Sequence, residues 1–171
     1  MHPGSKGKGF SLIELLIVMA IILIIAAIAI PNFMRSRIAA NHASAIASLR
    51  VINSAETTYA IQYEIGYTST LANLGPPAAG SQRSSSAAEM IDDVLASGAK
   101  GGYIFTYVPI APDGNGHYQE YTLNADPSQP GRTGNNYYFS DHTCVISLNS
   151  ATTASSSDSH IKEEEVLRTG G

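Results

Sequence analysis

One acid in this chain sits where an acid is costly. From Leu15 to Ile30 every side chain is apolar. With Phe10, Leu12 and Ile13 ahead of it, the run reaches the roughly 20 residues that a helix needs to cross a hydrocarbon layer. Glu14 lies inside that run. An ionised carboxylate well within such a helix costs about 2.5 kcal/mol or more unless it is neutralised or paired. The chemistry this stretch offers is therefore charge pairing, and Glu14 calls for a cationic partner.

Elsewhere, residue types that could do chemistry are scattered. His2, His42, His117, His142 and His160 show no metal-ligand spacing, and Cys144 has no second cysteine. There is no Walker A loop, no G-x-S-x-G elbow and no dinucleotide fingerprint. Ser84 to Ser86 lie in a low-complexity loop without a placed base. The reading is not an enzyme, with no catalytic residues and no cofactor. Cys144 permits no intrachain disulfide and reads as a small buried hydrophobe on a strand.

The apolar run admits two interpretations. A secretory signal would be cut at a small-residue site, for which Ala27-Ile28-Ala29 would serve, releasing a soluble secreted domain from Ile30. That reading gives Glu14 no purpose. The other cuts before the run and keeps the helix. Lys8-Gly9-Phe10-Ser11-Leu12-Ile13-Glu14-Leu15 resembles the class III signal of the type IV pilin and type II secretion pseudopilin superfamily. The combination of short basic leader, small residue, Phe and Glu at fixed spacing is a specific one.

The resemblance implies a prepilin peptidase that cuts between Gly9 and Phe10 and methylates the new amine of Phe10. It implies that the Glu14 carboxylate of one subunit neutralises the Phe10 amine of its neighbour, so that Phe10 and Glu14 set assembly register. The alternative for Glu14 is a side chain that snorkels to the headgroups. The resemblance further implies a homo-oligomeric filament of subunits stored in the bacterial inner membrane. A cytoplasmic assembly ATPase and a platform protein would drive them into an extracellular or periplasmic fibre, with the Phe10 to Ile30 helices as its core. A type II secretion pseudopilin is the alternative within the superfamily. Asp126, Asn135 and Asp141 lie near where major pseudopilins hold calcium and could donate oxygens to it. Their spacing is loose, and Pro127, Pro130 and Gly131 read equally as a turn.

The elements that must position this segment follow from length and patterning. At 171 residues the chain suffices for a long helix and one modest head. The formal charge is −4; losing Lys6 and Lys8 leaves 8 basic against 14 acidic residues, or −6. Such a balance offers no phosphate-binding surface, so nucleic acid is not indicated as a partner.

The expected organisation is a leader over 1–9, a membrane or filament-core helix half over 10–31, a head over 32–148 and a polar, flexible tail over 149–171. Phe10 to about Tyr63 reads as one helix of about 80 Å at 1.5 Å per residue. Pro31 should kink or loosen it over Leu23 to Pro31. Beyond Pro31, Leu49, Ile52, Ala55, Tyr59 and Tyr63 recur at helical spacing, with Arg50, Asn53, Glu56 and Gln62 between them as the outer face. Ala39, Ala40, Ala43, Ser44 and Ala47 are small enough to let neighbouring subunits approach.

Gly66 is a natural helix stop, and Gly75-Pro76-Pro77 starts a loop. Ser86 is expected to cap a short helix with Met90, Ile91, Val94 and Leu95 inward and Gly98 at its end. Strands are expected over Gly102 to Val108, His117 to Asn124, Asn136 to Ser140 and Thr143 to Leu148. The fold class is α+β, a type IV pilin-like long helix packed against a small antiparallel sheet. Tyr103, Tyr107, Tyr118, Tyr121, Tyr137 and Tyr138 read as sheet packing rather than a sugar platform or electron path. The Lys162-Glu163-Glu164-Glu165 run reads as a solvated face.

Overall fold

The computed structural model describes residues 10–161. The leader 1–9 and the charged run 162–165 lie outside them. The chain divides between Ser36 and Arg37 into two compact units, and helix α1 (Leu12–Tyr63) contributes residues to both.

In the first unit α1 opens on Ser11, whose carbonyl accepts from Glu14 N (3.1 Å) and Leu15 N (3.2 Å). The helix is assigned without a break through Pro31. Pro31 has no N–H to give the Ala27 carbonyl, so the ladder lacks one rung there while the helical path continues.

In the second unit the α+β class holds: the rest of α1 meets a six-stranded antiparallel sheet. Of the predicted stripe Leu49, Ile52, Ala55 and Tyr59 are buried and Tyr63 is half-buried, and Ala45 extends it toward the amino end. Burying a leucine- or isoleucine-sized side chain is worth about 1.5–3 kcal/mol. The strands are β1 (Ala99–Lys100), β2 (Tyr103–Pro112), β3 (Tyr118–Pro127), β4 (Tyr137–Asp141), β5 (Ser147–Asn149) and β6 (Ser159–His160), hydrogen-bonded in sequence order. Alternate residues point inward: Tyr103 and Phe105 from β2, Tyr121, Leu123 and Ala125 from β3, and Tyr138 from β4. The Asp113 turn joins β2 to β3, its Oδ1 accepting from Asn115 N and His117 N. The expected packing role is visible in the hydroxyls of three tyrosines, whereas Tyr118 is half-buried and its ring pairs with no other aromatic ring among the described residues. Tyr103 donates to Asn136 O (2.8 Å), Tyr107 to Thr68 O (2.9 Å) and Tyr121 to Asn53 Oδ1 (3.0 Å).

Several expectations change. Asn53 and Glu56 are buried in the helix–sheet interface, while Arg50 and Gln62 are exposed as expected. Asn53 Nδ2 donates to Ser140 Oγ at 2.8 Å, and both Glu56 oxygens accept from Thr68, one from its N–H and one from its hydroxyl. Tertiary partners thus satisfy groups whose polarity alone marks them for solvent.

The short helix is only Asp93–Ala96, α2, capped by Asp92, whose Oδ1 accepts from Leu95 N at 2.9 Å. Ser86 does not cap it, because the backbone of Ala88, Glu89 and Met90 is bonded to Asn73, Gly75 and Leu74 beside the 3-10 turn Leu71–Leu74. Val94 is accordingly exposed, while Ile91 and Leu95 are buried.

Cys144 is exposed in a left-handed turn residue (φ 62°) rather than buried on a strand. The Asp141 side chain accepts from Thr143 N and Thr143 Oγ1, which holds that turn and delays β5 to Ser147. The polar segment after Leu148 is tied down as far as Ile161. Asn124 Nδ2 donates to Ala154 O (2.8 Å), β6 pairs with β5, and Ile161 N donates to Ile146 O.

Glu56 carries a pH consequence. Burial raises its pKa above the ordinary carboxylate value, only partly opposed by the Thr68 hydrogen bonds. A raised carboxyl pKa means the folded state holds a proton that the unfolded chain releases. Stability from this group is therefore fully present below the unfolded value and lost as pH rises through the folded one. Glu56→Gln removes that titration. Thermal unfolding of the detergent-solubilised chain across pH 4–8 (roughly the range from the free carboxyl value to neutrality) should show the parent losing stability relative to Glu56→Gln as pH rises. A constant difference would refute the assignment.

Candidate functional site

The residues singled out by the motif belong to the first unit. Gly9 lies outside the described residues. Phe10 precedes the helix and is 77% exposed, and Glu14 lies in the first turn of α1. Three residues, Ser11 to Ile13, separate them, and the helix begins at the second of these. A carboxylate in the first turn is favoured by the partial positive charge of the free helical N–H groups. Among the described residues no basic side chain forms an ion pair with Glu14. The site offers a carboxylate, an exposed aromatic residue and the end of a helix, a set able to pair with a cation.

Ser11 is a residue that sequence reasoning passed over. It supplies the carbonyl at the helix start. The available signal was a serine immediately ahead of an apolar run.

Behind this end, the side chains of Leu12 through Ile25, and then Ile28 and Ile30, stand exposed on every side of the helix. The helix is long and apolar enough to cross a membrane, and none of its most apolar window is buried. Outer small residues Ala40, Ala43 and Ala47 are exposed, while Ala39 and Ser44 are half-buried.

The three oxygen donors considered for calcium do not converge. Asp141 pairs with Thr122 in the β3–β4 register, four residues from Asp126 on the same strand, or about 13 Å. A single calcium ion needs its oxygens at roughly 2.3–2.6 Å. Asn135 instead gives its N–H to His42 Nε2 at 3.1 Å, and the Asp141 side chain holds its own turn. Asp126 Oδ1 is buried without a hydrogen-bond partner among the described residues, and burial raises the pKa of that carboxyl.

A family profile described as the prokaryotic N-terminal methylation motif matches residues 4–30. That span contains Gly9, Phe10 and Glu14 and ends where the apolar run ends. The amino end is a class III prepilin signal of the type IV pilin superfamily. The chain is also 43% identical over 54 residues to the type IV major pilin protein PilA of Myxococcus xanthus (strain DK1622). That alignment covers 32% of this chain and 24% of the relative, so the chain spans about a quarter of the length of the curated pilin it matches. No solved structure matches the chain.

The prepilin signal and the exposed apolar helix together point to anchoring in a membrane. Expressed in a bacterium, the full chain should sediment with membranes, resist alkaline carbonate and be released by detergent. Recovery in the soluble fraction would contradict the anchored state.

Proposed function

We propose that this chain is the structural subunit of a type IV pilus-like filament, held in the bacterial inner membrane before assembly and polymerised through its amino-terminal helix. The observation that carries this reading is the coincidence, within residues 4–30, of the prepilin signal with a helix whose apolar side chains have no cover of their own. Likeness to a major pilin over 54 residues supports the pilus reading.

In this reading the prepilin peptidase cuts after Gly9, and N-methylation of Phe10 leaves the new terminal amine cationic. Glu14 of one subunit accepts that amine from its neighbour as the helices leave lipid and stack. A charge pair in such a medium is strong only when complete, and removing one partner from a buried pair costs roughly 3–5 kcal/mol. Pro31, at the end of the apolar half, is where the assembled helix would loosen, because its missing rung makes local unwinding cheapest there. The assembly ATPase and platform protein supply the work, and the head plays no enzymatic part.

The mature protein from its native cells should begin at N-methyl-Phe10, read by intact mass and terminal sequencing. A terminus at Ile30 would mean a secreted domain and end the proposal. Glu14→Ala should be processed at the parent rate yet enter fibres at least about tenfold less, since the Phe10 amine is left unpaired in the core. Parent-level incorporation, measured on sheared surface fibres, would remove Glu14 from assembly. Loss of exoprotein release with no fibres formed would transfer the chain to the pseudopilins.

A further inference from the structure

We propose that the head carries a binding site for a neutral pyranose, in a shallow cavity where the end of α1, the turn after it and the β2–β3 hairpin meet. The cavity has a volume of about 250 Å³ and is lined by Tyr59, Tyr67, Tyr118, His117 and Ser85, with Ile65 at its apolar part. It is separate from the amino-terminal segment and does not depend on how that segment assembles.

The backbone fixes this convergence. After Tyr63 the chain reverses through Gly66, at φ 74°, and a Cβ there would lie 2.2 Å from the Tyr118 carbonyl oxygen. Only glycine admits that approach. The same oxygen accepts from Tyr67 N at 2.8 Å, so Tyr67 and Tyr118 form a bridge outside the main sheet. The aromatic rings are held from behind. Tyr67 stands edge-on to Tyr121 with centroids 4.9 Å apart, and Tyr59 packs on Tyr63 at 4.8 Å while its hydroxyl donates to Ser85 O. The Tyr118 ring pairs with no other aromatic ring among the described residues.

The polar groups define the ligand. Among the described residues the Tyr118 hydroxyl, Ser85 Oγ and His117 Nε2 make no hydrogen bond, while His117 Nδ1 faces Asp113 at 3.5 Å. A purely apolar ligand would bury these groups unpaired, at a cost. No lysine, arginine, aspartate or glutamate lines the cavity, so nothing there compensates a charged ligand. Rigid rings with an apolar face, rimmed by hydroxyl and imidazole groups, match a molecule with one C–H face and a periphery of hydroxyls. The volume is below the roughly 300–1,000 Å³ of pockets for drug-sized ligands, which fits one sugar ring.

The test uses the full chain in a phosphocholine detergent, which has no sugar headgroup to compete. Methyl α-mannopyranoside, methyl β-galactopyranoside, methyl β-glucopyranoside and N-acetylglucosamine are offered in turn, with saturation-transfer NMR as the readout. At least one should receive saturation on its C–H protons, with millimolar affinity. Tyr118→Ala should abolish the signal, and Tyr118→Phe, which keeps the ring, should weaken binding about threefold to tenfold through loss of one hydrogen bond. Tyr137→Phe, outside the cavity, should bind as the parent does. An unchanged thermal midpoint for Tyr118→Phe shows that the head is intact. No transfer from any of the four up to about 50 mM, undiminished binding by Tyr118→Ala, or tighter binding of glucuronate than of glucoside would each overturn the proposal.

Discussion

The governing constraint is apolar surface that its own unit leaves uncovered. From Leu12 to Ile25, and again at Ile28 and Ile30, the side chains of one helix are exposed on all sides, far beyond the patches that water-soluble surfaces carry. A lipid layer is a surrounding that its length and composition suit. Such a layer lacks water to satisfy backbone groups, which favours a helix despite the density of β-branched isoleucine. Glu14 is the one acid admitted, and its place in the first turn is where helical N–H groups are free to favour a negative charge.

The second unit meets the complementary problem, an amphipathic helix half that must be covered on one side. Its stripe of Ala45, Leu49, Ile52, Ala55 and Tyr59 supplies the burial, but burial is indifferent to register. The polar groups on the same face are not indifferent. Asn53 accepts from Tyr121 and donates to Ser140, and Glu56 accepts twice from Thr68, so a shift of sheet over helix would strand buried donors. Those contacts give the head one arrangement among many of similar apolar area.

At its periphery the head is closed by small devices. The edge strands β1 and β6 are two residues each, which limits pairing with other sheets. Asn41 Nδ2 donates to Thr133 O at 2.7 Å and His42 Nε2 accepts from Asn135 N, tying the 128–136 loop to α1. Burial lowers the His42 pKa, in keeping with a neutral ring that accepts through Nε2. Gly134 lies so close to the Tyr103 hydroxyl that a Cβ would come within 2.2 Å of it.

Local patterning by itself determined the apolar helix and its acid, the stripe from Leu49 to Tyr59, the stop near Gly66, the Asp113 turn and the α+β class. Each of these is written in neighbouring residues, through helical or strand periodicity and turn chemistry. Only the tertiary structure decided that Asn53 and Glu56 turn inward, that Cys144 is exposed, that Asp92 and not Ser86 starts α2, and that Ser150 to Ile161 closes the sheet. It also separated Asp126 from Asp141 and gathered Tyr59, Tyr67 and Tyr118 around one cavity. Those outcomes turn on partners distant in sequence, such as Ser140 for Asn53 or Asn124 for Ala154. A polar side chain is buried or exposed according to whether such a partner arrives, and no local pattern encodes that arrival.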